Sequence, residues 1–480
     1  MGAKQHSHTA KFITGSTMRH VVVMTATGSI GLISVFIVDG LNLFYISLLG
    51  IEELAAAIGF ASTLLFFTLS ISIGLTIAAG ALVSRALGRG NRDEAAQMGG
   101  AAMVFMGLSS TAMSLVAWPF LREFNMLLGA TGRTLELSTL FLQIVLFSTP
   151  VMALGMCASG ILRGTGDARR AMYVTLGAGL AAAILDPIFI FGFGLGLEGA
   201  AISTVLSRFV MLAIGIRGAH SVHGLIRLPD WQKLKQAFRP FFAIGLPAVL
   251  TQLATPVGNA YVTAEIAAFG DQAVAGWAII GRIVPVAFGV IFALSGAVGP
   301  IIGQNFGARR YDRLLTTMRD SLIFTVGYVL AVWALLAIFA HPIADIFGAH
   351  GLSRELIVFF CLFAAGSFLF NGAIFVSSAA FNNLGFATYS TVFNWGRSTL
   401  GIIPFVWAGA HFYGAKGVLA GWGLGAIVFG ILSMLVCFRV VRALASETVA
   451  PEVEDTPQLP PSAQSPFSSG KAATAPQPGQ

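Results

Sequence analysis

Ile33-Ser-Val-Phe-Ile-Val-Asp39-Gly-Leu-Asn42-Leu-Phe-Tyr-Ile-Ser-Leu-Leu-Gly50 is a long apolar run with a single carboxylate, Asp39, near its middle. Because about 20 apolar residues are enough to cross the hydrocarbon core of a membrane, this run predicts a membrane helix. A charged side chain at the centre of such a helix costs roughly 2.5–3.5 kcal/mol on insertion scales. We therefore expect Asp39 to face a polar interior and to have a function that offsets this cost.

The composition of the whole chain also indicates a membrane protein. Of its 480 residues, 56% are hydrophobic and only 10% are charged, whereas a soluble domain carries about 25% charged residues. Glycine accounts for 56 residues, an excess that suits close helix packing in lipid. No alternating strand pattern competes with the apolar runs, so we predict an all-α membrane protein.

Twelve apolar runs are long enough to cross a bilayer. They lie near residues 21–49, 55–83, 96–120, 135–161, 172–196, 199–218, 241–268, 274–302, 316–340, 355–381, 388–410 and 414–438. Most Lys and Arg residues fall in the connections on the side of the N-terminus, and the opposite loops hold only Arg122, Arg133, Arg354 and Lys416. Since positively charged loops stay inside, we predict a multi-pass protein of a bacterial inner membrane with both termini in the cytoplasm.

The chain consists of two similar halves. Gly88 and Gly307 follow spans two and eight, Gly166 and Gly385 follow spans four and ten, and the members of each pair are 219 residues apart. We therefore predict two pseudo-symmetric six-helix lobes in the same orientation. In the connection between them, the amphipathic stretch that begins at Trp231 is expected to lie on the membrane surface. The predicted division is an N-terminal lobe (1–219), a cytoplasmic linker (220–240), a C-terminal lobe (241–443) and a disordered cytoplasmic tail (444–480).

Two of the few charges inside the predicted spans are acids of the N-terminal half, Asp39 and Asp186. Asp186 precedes Pro187, which removes a backbone donor and loosens the helix beside the carboxylate. Asn42 and Thr204 are placed to hydrogen-bond a carboxylate. Two acids in one poorly hydrated cavity repel each other, which favours a protonated form of at least one. We therefore predict that Asp39, Asp186, Thr204 and Asn42 carry proton coupling; the alternative is that each acid caps or pins a neighbouring helix.

The C-terminal half has no acids at the matching positions. It carries instead a neutral polar stripe, in which Gln252, Thr255 and Asn259 share one face of span seven and Asn371 lies in span ten. We expect this stripe to line the substrate path, although hydrogen bonding between helices explains it equally well.

Charged residues also lie in the predicted spans of the C-terminal half, among them Glu265, Arg282 and Arg397. Glu265 is close to the outer end of span seven, and Arg282 is near the same end of span eight. We therefore predict a structural ion pair between Glu265 and Arg282. The sequence assigns no partner to the third residue, Arg397.

No motif indicates enzymatic or nucleic-acid chemistry. The cysteines Cys157, Cys361 and Cys437 are too scattered for a metal site, and the histidines lack ligand spacing. The stretch that begins at Leu87 is not followed by the Lys-Ser or Lys-Thr of a phosphate-binding loop. We therefore predict a monomer that is not an enzyme, with no metal, cofactor or nucleic-acid partner. A secondary transporter that moves a small molecule across the lipid bilayer is the default.

Over nearly all of residues 20–440 the chain resembles the multidrug and toxic compound extrusion (MATE) transporters. The resemblance is carried by Val38-Asp39…Leu49-Gly50, Leu162-Arg163-Gly164-Thr-Gly166-Asp167, Leu185-Asp186-Pro187, Gly199-Ala-Ala-Ile-Ser-Thr204 and Gly303-Gln304-Asn305-Phe-Gly307. It implies a V-shaped pair of lobes that exchanges protons or sodium for extruded organic, often cationic, compounds. Family members that use protons have acids matching Asp39 and Asp186 and a threonine matching Thr204, whereas an asparagine of that site is Ala182 here.

Other members of the family, often coupled to sodium, carry a glutamate and an aspartate at the positions of Thr255 and Asn371. The resemblance therefore predicts a proton-coupled antiporter for organic, cationic or amphipathic compounds, with sodium coupling as a less favoured alternative. A lipid-linked saccharide flippase is a second alternative, but it needs a strongly cationic cavity, for which only Arg282 and Arg397 are candidates. A receptor or scaffold without transport is a third, and the repeat and the intramembrane acids count against it.

Overall fold

A computed structural model describes residues 10–49 and 51–449, except for the side chains of Asp39, Leu43, Ser47, Glu52, Ala55 and residues 447–449. The described residues form helices and contain no β-strand. The α-helices are α1 (Thr17–Ser47), α2 (Glu52–Gly88), α3 (Arg92–Ala117), α4 (Leu121–Leu127), α5 (Gly132–Phe147), α6 (Thr149–Thr165), α7 (Ala168–Pro187), α8 (Gly196–Ile216), α9 (Trp231–Ala267), α10 (Asp271–Gly307), α11 (Tyr311–Ile338), α12 (Ala340–Ile346), α13 (Gly351–Leu362), α14 (Phe368–Leu384), α15 (Ala387–Ser398) and α16 (Ile403–Val449). A 3₁₀ turn, Lys11–Ile13, precedes α1, and π-helical turns follow α7 at Ile188–Gly192 and α8 at Arg217–Val222.

The number of membrane crossings agrees with the sequence. In the described part of the chain, 10 helical segments are long and apolar enough to cross a bilayer, and α5 and α6, bent by 49°, form one further crossing. One of the 10 segments, Ala387–Ser446, has 60 residues, or about 90 Å of helix, which is enough for two crossings. Gly414 turns the chain inside it with a φ of 61°. Twelve spans are therefore consistent with the structure, and the all-helical fold is confirmed.

Large apolar side chains cover the outside of the bundle. Leu115, Val286 and Ile338, for example, are each at least 70% exposed. Monomeric soluble proteins rarely expose large apolar patches of this kind, whereas lipid accepts such a surface without cost. The outer surface therefore agrees with the membrane location that the composition predicts.

The two halves repeat each other helix by helix. α2 and α10 begin 219 residues apart, as do α7 and α15, and α6 and α14 end 219 residues apart. Gly166 and Gly385 cap α6 and α14 with φ angles of 85° and 98°. Glycine occupies this left-handed conformation without the steric cost of a Cβ atom. The predicted pair of pseudo-symmetric lobes is confirmed.

The lobes meet at one end of the bundle, which we call the basic end because it carries the 3₁₀ turn Lys11–Ile13 and the arginine-rich loops after α2, α6 and α10. There, one buried cluster packs Phe12 and Met24 against Leu294 of α10. A second cluster packs Leu75 of α2 against Ile244 of α9. At the opposite end, the buried clusters each draw their residues from a single lobe. The lobes therefore diverge from the basic end.

The surroundings of the glycines along α2 show the same divergence of the lobes. Gly74 lies directly against Val249 of α9, in the other lobe. Gly59 lies four turns farther from the basic end, and a Cβ atom there would meet no neighbour among the described residues; the same holds for Gly281 on α10. A cleft therefore opens between the lobes at the end opposite the basic end.

Two predicted boundaries of polar segments need correction. The linker predicted at 220–240 ends earlier, because α9 runs from Trp231 to Ala267 without a break. Asp230 caps it by accepting a hydrogen bond from the Lys233 N–H, and the buried Ala237 anchors its first turns. Disorder was predicted from residue 444, but residues 444–449 are helical, because α16 continues to Val449. Residues 450–480 lie outside the described residues.

Candidate functional site

Asp186 is the buried acid of the first lobe, with 0% exposure near the end of α7. Asn42 on α1 donates a hydrogen bond from Nδ2 to its Oδ2 atom at 3.1 Å. Ser203 on α8 donates from Oγ to the other carboxylate oxygen. A single carboxylate therefore connects α1, α7 and α8.

Local backbone geometry brings α8 close to this carboxylate. α7 ends at Pro187, and the wide π-helical turn Ile188–Gly192 follows it. Such turns often mark functional positions in helices. Gly199 on α8 packs against the backbone of Phe189, where a Cβ atom would lie 2.6 Å from the carbonyl oxygen. The glycine thus permits the approach that places Ser203 beside Asp186.

The structure brings together only part of the predicted proton site. Thr204 Oγ1 donates to the Ala200 carbonyl of its own helix at 2.8 Å. The neighbouring Ser203 contacts Asp186 instead, and the sequence analysis missed it, although the Ser-Thr pair was visible. Asp39 lies on α1, three residues before Asn42; its side chain lies outside the described part of the molecule.

In the second lobe, the neutral stripe includes a contact with a buried cation. Arg397 on α15 donates from Nη2 to Thr255 Oγ1 on α9 at 3.0 Å. Gln252 is partly exposed and Asn259 is exposed on the same helix, while Asn371 is buried on α14. No partner of Arg397 was predicted, because its contact lies 142 residues away along the chain.

The predicted ion pair between Glu265 and Arg282 is absent from the described ion pairs, all of which join other residues. Glu265 is paired with the hydroxyl of Tyr261, one turn earlier on α9, and Arg282 is exposed. A partner on the same helix face is closer to Glu265 than one on a neighbouring helix. Within the described chain, no group of three His, Cys, Asp or Glu side chains is arranged to hold a metal ion.

A second polar cluster closes the basic end, around the 3₁₀ turn that precedes α1. The Phe12 N–H donates to Gln304 Oε1 at 2.9 Å, and Gln304 Nε2 donates to the Gly164 carbonyl at 2.8 Å. The Phe12 carbonyl accepts from Asn305 Nδ2 at 3.2 Å and from Arg313 Nη2 at 2.9 Å. The N-terminal segment thus bridges the two lobes.

An arginine of α2 completes the closure. Arg85 donates from Nε to the Asn383 carbonyl at 2.8 Å and from Nη2 to the Asn382 carbonyl at 2.9 Å. Both carbonyls belong to the last turn of α14, in the other lobe. The loops that form the sequence repeat are therefore also the junction between the lobes.

Comparison with known proteins identifies the family. The MatE family model matches residues 29–188 and 247–407, one segment in each lobe and together more than half of the chain. The FAD transporter of Shewanella oneidensis is 28% identical over 441 residues, which cover 90% of this chain and 97% of that protein. The multidrug export protein MepA of Staphylococcus aureus is 25% identical over 419 residues, covering 85% of this chain and 90% of the relative.

Solved structures agree with the family match. The Vibrio cholerae MATE transporter VcmN, in its bent form, superposes with a TM-score of 0.84 at 27% identity, covering 89% of this chain and 98% of that one. An outward-facing multidrug resistance MATE transporter superposes with a TM-score of 0.86 at 21% identity, covering 92% and 100%; at this identity, the match shows the fold alone. The chain therefore belongs to the MATE family of multi-pass membrane transporters.

Proposed function

We propose that this transporter is an antiporter that exports organic amphipathic compounds, cationic ones included, in exchange for protons. The observation that carries the proposal is the buried Asp186 carboxylate, held by Asn42 of α1 and Ser203 of α8. Ionisable residues inside a membrane bundle are costly, and they commonly mark proton or ion pathways.

The hydrogen bonds of Asp186 suggest how protonation acts on the helices. A charged carboxylate accepts from both Asn42 and Ser203, whereas a protonated carboxyl has one oxygen that donates. A proton on Oδ2 therefore weakens the bond from Asn42 that ties α7 to α1. Because α1 also packs against α10, with Gly28 facing Ala293, a shift of α1 reaches the junction between the lobes. We assign Asp39, on the same helix, the role of a second proton acceptor.

The second lobe supports protons over sodium as the coupling ion. The Arg397 guanidinium lies 3.0 Å from Thr255 Oγ1, at the position where other family members carry a glutamate. A positive charge there repels a sodium ion. A saccharide flippase requires a strongly cationic cavity, which a single buried cation, Arg397, does not provide.

The charge distribution supports a bacterial inner membrane with the basic end in the cytoplasm. The loops at that end carry most of the Lys and Arg residues, which remain on the cytoplasmic side during insertion. In this orientation the cleft faces the outside of the cell. We propose a monomer as the functional unit.

The relatives favour two candidate substrate groups. MepA exports multiple drugs, and the Shewanella relative carries FAD. Both relatives align with most of this chain, so hydrophobic drugs and flavin nucleotides are the first compounds to test as transported substrates.

Transport into liposomes tests the proposal. We expect an imposed pH gradient to drive movement of the fluorescent cation ethidium, and an imposed sodium gradient to drive none. Asp39→Asn and Asp186→Asn should abolish the pH-driven transport while expression and thermal stability stay unchanged. Asp345→Asn, at a largely exposed carboxylate, is the matched control. Full activity of Asp186→Asn, or transport driven by sodium alone, would refute proton coupling at this site.

A further inference from the structure

Arg397 is a buried cation in the middle of the second lobe. It is 6% exposed, and it lies ten residues, or about 15 Å, from the start of α15, half the thickness of a hydrocarbon core. Its Nη2 donates to Thr255, and its Nε is buried without a partner in the described part of the chain. The hydroxyl of the next residue, Ser398, is also buried and unpaired there. A buried charge is costly unless it is paired.

Among the described side chains, no acid is placed to neutralise this arginine. α15 packs against α9, α14 and α16. The sequences of α14 and α15 contain no acidic residue. The acid of α9 is Glu265, which is ten residues or about 15 Å beyond Thr255 along the helix, and the acid of α16 is Glu447, near its far end.

Other arginines in the bundle have a structural role and differ from Arg397 in their hydrogen-bond acceptors. Arg208, 8% exposed, donates from Nη1 to the Val145 carbonyl and to Ser148 Oγ, both at 2.9 Å, and so holds the bend between α5 and α6. Arg85 donates to two carbonyls of the last turn of α14. Arg397 has a single hydroxyl acceptor instead, and its Nε has no acceptor among the described residues.

The site lies where the two lobes begin to part. Val249 of α9 is in contact with Gly74 of the other lobe. Thr255 is six residues, or about 9 Å, farther along α9 towards the open end, and it is exposed. Thr255 thus connects the buried guanidinium to the exposed surface of α9.

We propose that Arg397, Thr255 and Ser398 form an anion subsite that binds a phosphate group of an exported organic compound. A phosphate matches the planar guanidinium with two parallel hydrogen bonds, and its third oxygen accepts from hydroxyls. This inference rests on the proposed export function and names amphipathic compounds that carry a phosphate as one group of its substrates.

Equilibrium binding to the purified full-length protein tests the subsite, with FMN and riboflavin as probes. The two share one fluorescent ring system and differ by one phosphate. We expect the wild-type protein to bind FMN about tenfold more tightly or better, as a charge-assisted bidentate contact implies. Arg397→Gln should reduce the difference to less than about twofold, whereas Arg282→Gln, at an exposed arginine of the same lobe, should keep it.

A second variant covers the case in which Arg397→Gln folds poorly. Thr255→Glu leaves Arg397 in place and puts a carboxylate beside it, so the guanidinium is neutralised from within and the FMN preference should disappear. Equal affinity of the wild-type protein for FMN and riboflavin, absence of binding of both, or an FMN preference that survives in both variants would overturn the proposal. Because no gradient is applied, a failure of proton coupling leaves this result unaffected.

Discussion

At the scale of single residues, the choice between two neighbouring hydroxyls decides what surrounds the buried acid. Ser203 and Thr204 are adjacent on α8, and successive helical residues point about 100° apart. Only one of them therefore faces α7. Ser203 reaches Asp186, while Thr204 donates to the backbone carbonyl of Ala200.

Alanine substitutions separate the two hydroxyls. Removing the donor of a buried carboxylate costs about 1.5–3 kcal/mol. We therefore expect Ser203→Ala to slow pH-driven transport about tenfold or more. Thr204→Ala should stay within about twofold, since its lost hydrogen bond is internal to α8. Initial transport rates in liposomes with matched protein content measure both, and a larger loss in Thr204→Ala would contradict the geometry.

At the scale of elements, the short N-terminal segment holds the basic end closed. Phe12 is 1% exposed and packs against Gly166 of the first lobe. Its backbone is bound by Gln304, Asn305 and Arg313 of the second lobe. Opening of the basic end must therefore release this segment from at least one lobe.

Phe12→Ala tests whether the N-terminal segment keeps the basic end closed. Loss of a buried phenylalanine costs about 3–5 kcal/mol, so we expect the basic end to open more often. Maleimide labelling of a cysteine introduced at Ser84, which is fully buried there, should become several-fold faster. Phe339→Ala, at an exposed phenylalanine of the opposite end, should leave the rate unchanged. An unchanged labelling rate in Phe12→Ala would show that the segment does not keep the basic end closed.

The N-terminal cap of α7 is a second element with a defined charge. Asp167 accepts hydrogen bonds from the Arg170 N–H at 3.1 Å and from His223 Nε2 at 2.9 Å. Burial alone would raise the pKa of Asp167, but the bonds from His223 and Arg170 outweigh it, and the pKa lies well below its ordinary value. The ionised carboxylate thus stabilises the contact between the α6–α7 loop and the inter-lobe connection.

This lowered pKa predicts a pH-dependent stability. The stabilisation is complete above the unfolded pKa of Asp, about 3.9, and it is lost as the pH falls towards the lower folded value. We expect Asp167→Ala to cost about 1 kcal/mol at pH 7. The melting temperature of the variant should fall below that of the wild type at pH 7. The difference between the two melting temperatures should be smaller at pH 3. Asp345→Ala, at an exposed acid, is the control. A melting-temperature difference between Asp167→Ala and the wild type that is equal at both pH values would contradict a stabilising role of the ionised Asp167.

At the scale of the whole molecule, the close approach of the lobes depends on glycine at the basic end. Gly88, the last residue of α2, lies directly against the backbone carbonyl of Gln304 on α10. The same helix carries Gly59 at the open end, where a Cβ atom would meet nothing among the described residues. A methyl group at position 88 therefore forces the lobes apart, whereas a methyl group at position 59 does not.

Gly88→Ala should therefore shift the molecule away from the state that is closed at the basic end. Overpacking costs about 1–3 kcal/mol, which lowers the ratio of the closed to the open population roughly fivefold or more. Distances between spin labels placed on the two lobes at the basic end measure this population. Gly59→Ala should give the wild-type distribution; an equal distribution in Gly88→Ala would show that the contact does not limit closure.

The sequence by itself determined the membrane class, the twelve spans and the duplication. Apolar length, glycine content and the spacing of Gly166 and Gly385 are local or periodic properties, and they do not depend on how helices rotate against each other. Tertiary structure alone decided that Ser203 rather than Thr204 meets Asp186, and that Arg397 meets Thr255. Such pairs join residues far apart in the chain, and a turn of one helix by a single residue, about 100°, exchanges one partner for another.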